Sequence, residues 1–326
     1  MRAWEIRNGK LDLHEVAPVQ AAEGEMVVRI KHAGICGSDL PKLVRPHVFA
    51  LPEPWRPGHE IVGTDPTGRV VAIDPLISCG TCNACAAGDS HLCPGLRRLG
   101  WDLPGAFAEQ VVVPAANAHP LPNGVDPLHA VLADPAAVAI HGLRCTPISP
   151  TGRLAVIGAG TVGLLTALYA NQHGWDVTVI HRDGRPPPRA IVDAVPATFQ
   201  PPQLPENSGF DVVVDAASGA DSTPLELALH LVRESGTVVV QNAYQSNVVL
   251  PLPLRDIFRR SISLIGSFSY CGRSLGDFEM GLKLLDQCSN AAGLLVTQVG
   301  GLADLGAVLE RPSPHTGRQV LTVKDI

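Results

Sequence analysis

Four cysteines that stand close together in the sequence are the residues best suited, by type and spacing, to bind a metal ion. Cys79, Cys82, Cys85 and Cys93 follow the pattern C-x2-C-x2-C-x7-C. Short intervals let four thiolates point inward around one tetrahedral ion, and zinc is the usual occupant of such sites. Because four protein ligands leave no open position, the spacing predicts a structural zinc site and not a catalytic one. We call residues 79–93 the cysteine lobe.

Two disulfides and an iron–sulfur cluster are alternative uses of the same cysteines. Disulfides are rare in cytosolic chains, and such close spacing strains their geometry. Bacterial ferredoxin spacing ends in a three-residue gap followed by Cys-Pro. Pro94 does follow Cys93 here, but the seven-residue gap does not fit. We interpret His91, inside the lobe, as a surface residue and not as a fifth ligand.

A second set of metal-binding side chains precedes the lobe. Cys36 begins the segment Cys-Gly-Ser-Asp, and His59-Glu60 follows about twenty residues later. A lone cysteine is usually a small buried residue, and a lone His-Glu pair carries little information. Together with the lobe, however, they predict that Cys36 and His59 bind a second zinc. A catalytic zinc has three protein ligands and one open position.

The third ligand of such a site must come from elsewhere in the chain. Asp134 is the best candidate, because it is an acid in a stretch that is otherwise almost wholly apolar, and a buried acid needs a partner. Its alternative role is that of a helix N-cap, with Pro135 at the first helical position. The two roles are compatible.

The elements that position a cofactor are recognisable in the second half of the chain. Residues 153–157 form a short apolar run that predicts a buried strand, and residues 164–172 predict a helix that stops at Gly174. Between them lies a G-x-G-x-x-G turn whose candidate cofactor contacts are Gly158, Gly160, Thr161, Val162 and Gly163. Flanked by strand and helix, this turn indicates dinucleotide binding, since its glycines let the backbone approach a pyrophosphate at the helix N-terminus.

The residues after the next strand, 177–180, bear on the choice between NAD and NADP. An acid commonly binds the ribose 2′-hydroxyl of NAD at this position. Here the sequence has His181 and Arg182, a basic pair that suits the 2′-phosphate of NADP. NADP is therefore favoured, while Asp183, next in the chain, keeps NAD possible.

Alternating strands and helices predict a doubly wound α/β sheet for this half. Further strands are predicted at 210–215, 236–241 and 262–266, with a helix at 224–233. The proline-rich stretches 185–188 and 196–205 exclude regular helix, so we expect a shortened, loop-like connection there.

Composition and charge narrow the class of protein. The chain has 326 residues, of which 45% are hydrophobic and 17% charged, so it is globular and long enough for two domains. The net charge of −6 without a basic stripe argues against nucleic acid as a partner. The absence of a long apolar run and of an apolar signal core argues against a membrane protein and a secreted one. We expect a cytoplasmic protein.

In this order, the motifs resemble those of the zinc-containing medium-chain dehydrogenase/reductase family, the group of alcohol, sorbitol and threonine dehydrogenases. The resemblance runs along the whole chain, and residues 317–321 are similar to the closing strand of that family. It implies two domains, of α/β class overall. A GroES-like, β-rich catalytic domain comprises residues 1–136 and 269–326, and a Rossmann dinucleotide-binding domain comprises residues 137–268.

The resemblance also implies roles for individual residues and two zinc ions per chain. The ligands of the catalytic zinc are Cys36, His59 and Asp134, and Glu60 enters or leaves the zinc shell. Asp39 orients His59, and Ser38 receives the substrate proton. The implied reaction is hydride transfer between a secondary alcohol, of polyol, sugar, cyclitol or amino-alcohol type, or its ketone, and NAD(P).

Two features depart from the family pattern. Pro41 occupies the place of a histidine that often ends the proton relay, so the proton must leave through Lys42, His47, the ribose hydroxyl or water. The stretch 63–71 is shortened by roughly a hairpin's length, which leaves the local strand register open.

Other interpretations and partners stay open at this point. The chain could be a carbonyl or double-bond reductase with only a structural zinc, or a non-catalytic dinucleotide-binding relative. Aromatic candidates for the substrate pocket are Phe49, Trp55 and Trp101, and basic candidates for contact with an anionic substrate are Arg97 and Arg98. The strand at 262–266 could pair across a dimer edge, and the family commonly forms homodimers or homotetramers.

Overall fold

A computed structural model describes residues 1–147, 151–203, 209–217, 221–271, 276–311 and 316–323. The chain divides into two compact units, one of Met1–Asp134 with Cys271–Ile326 and one of Pro135–Tyr270. The sequence-based division at 136/137 and 268/269 lies two residues from these boundaries. No helix within the described ranges is long and apolar enough to cross a membrane.

Short strands dominate the first segment of the first unit. They are β1 (Arg2–Arg7), β2 (Lys10–Glu15), β3 (Glu25–Ile35), β4 (Glu60–Thr64), β5 (Val70–Ile73), β6 (Leu76–Ile77), β7 (Arg97–Arg98), β8 (Gln110–Pro114) and β9 (Ala118–Pro120). The helices are α1 (Leu40–Val44), α2 (Asn83–Ala87) and α3 (Ala133–Arg144), which crosses into the second unit. Single 3-10 turns lie at Pro46–Val48, Ser90–Leu92, Ala115–Asn117 and His129–Leu132.

The second unit is a doubly wound sheet of six parallel strands. They are β10 (Arg153–Ile157), β11 (Asp176–Ile180), β12 (Thr198–Gln200), β13 (Phe210–Asp215), β14 (Val232–Val240) and β15 (Ser263–Gly266), in the spatial order β12-β11-β10-β13-β14-β15. The helices are α4 (Thr161–Gln172), α5 (Arg189–Ala194), α6 (Thr223–Leu231) and α7 (Leu254–Arg260). The side chains of β10 and β13 are buried nearly throughout, as expected of strands covered on both faces. The predicted α/β class is confirmed.

The returning segment completes the sheet of the first unit. Its elements are α8 (Asp277–Gln287), α9 (Ser289–Leu294), β16 (Val296–Gly301), a 3-10 turn (Leu302–Asp304), α10 (Leu305–Leu309) and β17 (Arg318–Thr322). The mainly antiparallel sheet has the order β16-β17-β3-β4-β5-β9, and β8 also pairs with β3. Ile30, Phe107 and Leu321 pack in one core with the remaining apolar side chains of these strands. The predicted closing strand is therefore β17, and it lies beside β3.

One predicted element boundary was wrong, and one strand was not predicted. The helix predicted for 224–233 ends at Leu231, because Val232 and Arg233 already belong to β14. The proline-rich stretch 196–205 contains a three-residue strand, β12, which pairs with β11. The connection before it is indeed shortened, since α5 has only six residues.

Candidate functional site

The loop end of β3 and the start of β4 bring three potential metal ligands together. Cys36 directly follows β3, and Glu60 opens β4 opposite Gly34 in the antiparallel register. The ligand atoms of Cys36, His59 and Glu60 all lie within 4.8 Å of one another. His59 and Glu60 are buried, and Cys36 is half-buried. The shortened stretch after Glu60 is a tight turn between β4 and β5, which pair in regular register, whereas the pairing of β3 with β4 has a bulge between Ile30 and His32.

Gly34 leaves the room that the Glu60 side chain occupies. A Cβ built at Gly34 would overlap Oε2 of Glu60 and come within 2.9 Å of its Cβ. Any larger residue at this position of β3 would therefore displace the carboxylate. Glycine is required at this position because the Glu60 side chain lies against its Cα, and not because of a turn conformation.

Charged side chains contact two members of the trio Cys36, His59 and Glu60. Asp39 Oδ2 lies 3.1 Å from His59 Nδ1, so the other ring nitrogen is left to face Cys36. Arg318 Nε lies 2.8 Å from Glu60 Oε2, and its Nη1 donates a hydrogen bond to Ile35 O. The geometry at Asp39 is that predicted for a residue that orients a metal-binding histidine. Sequence reasoning did not identify Arg318 as a site residue. The only feature that could have indicated it is a basic residue at the start of an otherwise apolar strand.

The charges of the site shift the pKa values of all three candidate ligands. Burial raises the pKa of the Cys36 thiol, but the charges of Arg318 and His59 outweigh it and lower the pKa to about 6. Burial lowers the pKa of His59, yet the charges of Asp39 and Cys36 raise it well above the usual value. Burial raises the pKa of Glu60 well above its usual range, against the opposing charge of Arg318. Acidic and basic groups thus share one buried place, where burial opposes the charged form of each.

This donor set fits a zinc ion. A thiolate, an imidazole and a carboxylate are ligands that zinc commonly takes, and deprotonated ligands are what a metal site requires. Within the described part of the chain, the second carboxylate oxygen of Asp39 and that of Glu60 (Oδ1 and Oε1) are buried and make no hydrogen bond, while Oδ2 and Oε2 face His59 and Arg318. A divalent cation among these groups would offset the repulsion between Cys36 and Glu60.

Ser38, Lys42 and Trp101 surround the trio. Ser38 is exposed, and its Oγ lies 3.2 Å from Cys36 Sγ. Lys42 Nζ donates to Ser38 O and sits 3.1 Å from the centroid of the Trp101 ring. Trp101 Nε1 lies 3.4 Å from His59 Nδ1. Of the two proton exits proposed on α1 and the following turn, Lys42 contacts Ser38, whereas His47 lies against Gly9.

The cysteine lobe brings its four sulfur atoms within 4.8 Å of one another. Cys82 Sγ and Cys85 Sγ are 3.5 Å apart, and Cys79 Sγ and Cys85 Sγ are 4.0 Å apart. Four sulfurs at about 2.3 Å from one zinc ion would lie about 3.8 Å apart, so the lobe fits zinc. All eight cysteines are within the described residues and are free thiols, which disfavours the disulfide alternative. Backbone N–H groups of Thr81 and Cys82 lower the pKa of Cys79 to about 6.

The glycine-rich turn of the second unit has the form of a pyrophosphate cradle. It joins β10 to α4, and Gly160 is the N-cap of α4. A Cβ built at Gly160 would meet no atom within 4 Å, so open space lies before the helix N-terminus. At Gly163 a Cβ would overlap Gly158 O. Because glycine has no Cβ, β10 and α4 can approach each other closely here. Thr161 and Val162 open α4 beside this space.

The residues after β11 present positive charge to solvent. His181 is half-buried, and its Nδ1 lies 3.0 Å from Arg182 O. Arg182 is exposed; hydrogen bonds from Thr223 are the main cause of the lowered pKa of Asp221, and the charge of Arg182 adds to them. Asp183 accepts a hydrogen bond of 3.3 Å from Gln203 Nε2.

Comparison with known proteins agrees with both units. Residues 22–123 match the alcohol dehydrogenase GroES-like domain family. Residues 153–190 match the FAD-dependent oxidoreductases, and this segment is the β10–α4–β11 unit, a dinucleotide-binding motif shared by FAD and NAD enzymes.

Relatives of known name match most of the chain. D-altritol 5-dehydrogenase of Agrobacterium fabrum is 31% identical over 283 residues, 81% of this chain and 82% of the relative. 2-Dehydro-3-deoxy-L-galactonate 5-dehydrogenase of Pseudoalteromonas atlantica is 27% identical over 321 residues, 90% of this chain and 89% of the relative. The structure of a thermostable alcohol dehydrogenase from Pyrobaculum aerophilum superposes with a TM-score of 0.83 at 25% identity, covering 99% of each chain.

The chain belongs to the zinc-containing medium-chain dehydrogenase/reductase family. It is an oxidoreductase that transfers hydride between small-molecule alcohols and a nicotinamide dinucleotide, and its units are the GroES-like and Rossmann domains of that family. The predicted family, fold class and reaction type are confirmed.

In this dehydrogenase Asp134 lies beside the trio without being part of it. It stands in the first turn of α3 and is half-buried, and its charge helps raise the pKa values of Glu60 and Arg318. The compact set of ligand atoms contains Glu60 in its place. The N-cap interpretation was wrong, because α3 begins at Ala133 and continues from a 3-10 turn.

Two further sequence interpretations are corrected by burial. His91 is not a surface residue: it is 8% exposed, and its Nδ1 lies 2.9 Å from Cys271 Sγ. Trp55 is buried, and its backbone pairs with Ile6, so it packs the core and does not line a pocket. Phe49 is exposed, and Trp101 is the aromatic candidate that contacts His59.

Proposed function

We propose that this protein is a zinc-dependent dehydrogenase of a polyol or sugar-type secondary alcohol, with NADP favoured over NAD. The observation that carries the proposal is the buried set of Cys36, His59 and Glu60 with Asp39 and Arg318 behind it. The two named relatives, an altritol and a deoxygalactonate dehydrogenase, support the substrate class. A reductase with only a structural zinc would not need this arrangement.

Cys36 and His59, with Glu60 or Asp134 as the acidic ligand, would hold the catalytic zinc. When bound, zinc polarises an alcohol oxygen as a Lewis acid and lowers its pKa. Ser38 Oγ, 3.2 Å from Cys36 Sγ, is close enough to accept the alcohol proton. Asp39 fixes the orientation of the His59 ring, and the ion pair with Arg318 fixes the position of the Glu60 carboxylate.

The second zinc would be structural, held by Cys79, Cys82, Cys85 and Cys93, giving two zinc ions per chain. The G-x-G-x-x-G turn would bind the pyrophosphate of the dinucleotide through the N–H groups at the start of α4. Arg182, exposed after β11, would pair with the 2′-phosphate of NADP.

We further propose that the enzyme is a homodimer or a homotetramer assembled through β15. This strand is at the edge of the parallel sheet, and Leu264 on it is 39% exposed. Phe258 and Phe268 nearby in sequence are also exposed. An exposed apolar edge strand favours pairing with a second copy.

A substrate screen with both cofactors tests the function. Purified enzyme with zinc is mixed with alditols, aldonates, cyclitols, amino alcohols and simple alcohols, and reduction of NAD or NADP is followed by absorbance. We expect turnover with at least one polyol or sugar-type alcohol and a higher kcat/KM with NADP. Turnover of simple primary alcohols alone, or of none of the panel, would contradict the proposal.

A further inference from the structure

Two cationic side chains lie against the indole ring of Trp101 in the GroES-like domain. Lys42 Nζ lies 3.1 Å from the centroid of Trp101, and the guanidinium carbon of Arg98 lies 4.9 Å from it. The same indole reaches His59 through its Nε1. Cationic groups are thus held beside the metal-binding histidine, separated from it by a single ring.

The two cations differ in how their charge is balanced. Arg98 is paired with Asp102, which accepts from its Nε at 2.9 Å and from its backbone N–H at 3.0 Å. Within the described residues Lys42 forms no ion pair, and its Nζ donates a hydrogen bond to the uncharged carbonyl oxygen of Ser38. Its side chain is half-buried, so water compensates only part of its charge.

Other charges near Lys42 do not serve as its partner. Asp39 contributes to the electrostatics of Lys42, but its carboxylate faces His59. Burial is the main cause that lowers the pKa of the Lys42 ammonium; the charge of Asp39 opposes it, Arg98 adds to it, and Cys36 opposes it. Burial thus outweighs the nearby charges of Asp39 and Cys36, and an anion bound beside the ammonium would raise its pKa again.

We propose that Lys42, held in place by Trp101, binds an oxyanion of the substrate, so that the preferred substrate is a polyol carrying a carboxylate or a phosphate. This inference rests on the proposed function and narrows its substrate class. The ammonium lies next to Ser38 and one ring away from His59, a separation that a short carbon chain spans. An alcohol at the zinc-binding trio could then present its acidic end to Lys42.

The test compares three substrates that share one carbon skeleton: an alditol, the corresponding aldonate and the alditol phosphate. In Lys42→Met we expect kcat/KM to fall about 10- to 100-fold for the preferred anionic substrate, the range for losing a hydrogen bond to a charged group. For the neutral alditol we expect less than a threefold change. Comparing aldonate with phosphate identifies which oxyanion is preferred.

Two controls accompany this variant. Lys283→Met removes an exposed lysine of α8 and is expected to leave all three substrates unaffected. Lys42→Arg keeps the charge and should retain most of the preference for the anion. Calorimetric titration with a deoxy-aldonate that cannot be oxidised, in the absence of dinucleotide, should show binding to the wild type that Lys42→Met loses.

Three outcomes would overturn the inference. One is an equal loss for the neutral and the anionic substrates in Lys42→Met, with a shifted pH profile of kcat, as expected if Lys42 carries protons instead. Another is a wild type that prefers the neutral alditol. The third is deoxy-aldonate binding that survives in Lys42→Met. Each leaves the proposed function intact as long as some polyol is turned over, whereas absence of all polyol turnover would count against that function itself.

Discussion

At the scale of single residues, the charge of Cys36 is set by side chains from separate parts of the chain. Arg318 on β17 and His59 before β4 lower its pKa, and Asp39 opposes them. Cys36 follows β3, next to the paired residues Ile35 and Gln319, so pairing of β3 with β17 brings Arg318 to it. The thiol that we propose as a zinc ligand is thereby kept mostly deprotonated near neutral pH.

Replacing Cys36 by serine should abolish turnover. Serine removes the thiolate, so we expect the zinc content to fall from two ions to one and kcat to fall by about 10³-fold or more, since a Lewis acid supplies several kcal/mol. The thermal unfolding midpoint should change little. Cys288→Ser, a half-buried thiol between α8 and α9, is the matched control. Turnover near the wild-type level in Cys36→Ser would refute a catalytic zinc.

Replacing Gly34 by alanine should damage the site without touching a ligand. The new methyl group would overlap the Glu60 carboxylate, and such overpacking costs about 1–3 kcal/mol. We expect lower unfolding free energy in urea and a reduced kcat/KM. Gly301→Ala, where a Cβ would meet its neighbours only at 3.5 Å or beyond, is the control. If Gly34→Ala and Gly301→Ala lose the same unfolding free energy and the same kcat/KM, the overlap with Glu60 is not the cause.

The sequence predicted most of this site but not all of it. Cys36, His59 and Asp39 stand in short motifs, where type and spacing alone indicate metal chemistry. Arg318 could not be found in this way, because its contact depends on strand pairing between the two ends of the chain. Both acids were candidate ligands, and that the compact set contains Glu60 and not Asp134 depends on side-chain placement, which spacing does not encode.

At the scale of elements, continuous apolar runs were the reliable signal. β10 and β13 have the predicted bounds because strands buried on both faces need unbroken apolar sequence. β12 was not foreseen, since three residues within a proline-rich stretch carry no periodicity. The end of α6 was misplaced because Val232 suits a helix pattern as well as the strand that it begins.

The end of β11 should decide between the two cofactors. Arg182→Asp replaces a cation by an anion where the 2′-phosphate would lie, so we expect the ratio of kcat/KM for NADP to that for NAD to fall about 10- to 100-fold. Arg189→Asp on α5 makes the same charge reversal at another exposed arginine and should leave this ratio nearly unchanged. An unmoved ratio in Arg182→Asp would show that the preference is set elsewhere.

The cysteine lobe should matter for stability more than for chemistry. Cys82→Ser removes one of four sulfurs, and a structural zinc contributes directly to folding energy. We expect loss of one zinc ion per chain and a lower thermal midpoint, while kcat per folded molecule stays within about threefold, since the lobe offers no open position. An unchanged midpoint and two bound zinc ions would contradict a zinc site in the lobe.

At the scale of the whole molecule, the exposed edge of the parallel sheet bears on assembly. We expect the wild type to have a mass in solution of two or four times 34.3 kDa by light scattering. Leu264→Lys places a charge on β15 and should yield monomers, because lysine on an edge strand blocks pairing. Leu92→Lys, at an exposed leucine of the lobe, is the control. A monomeric wild type would rule the assembly out.

The pairing of β17 with β3 has a consequence for the order in which the protein matures. The lobe is contained within residues 79–93 and the Rossmann unit is continuous from Pro135 to Tyr270, so both are synthesised in full before the last strand of the first unit. The trio at Cys36 gains its counter-charge only when Arg318 has left the ribosome. If the trio and the lobe bind zinc as we propose, we expect the catalytic ion to be loaded late, after translation, and a chain released before residue 318 to hold the structural metal but not the catalytic one.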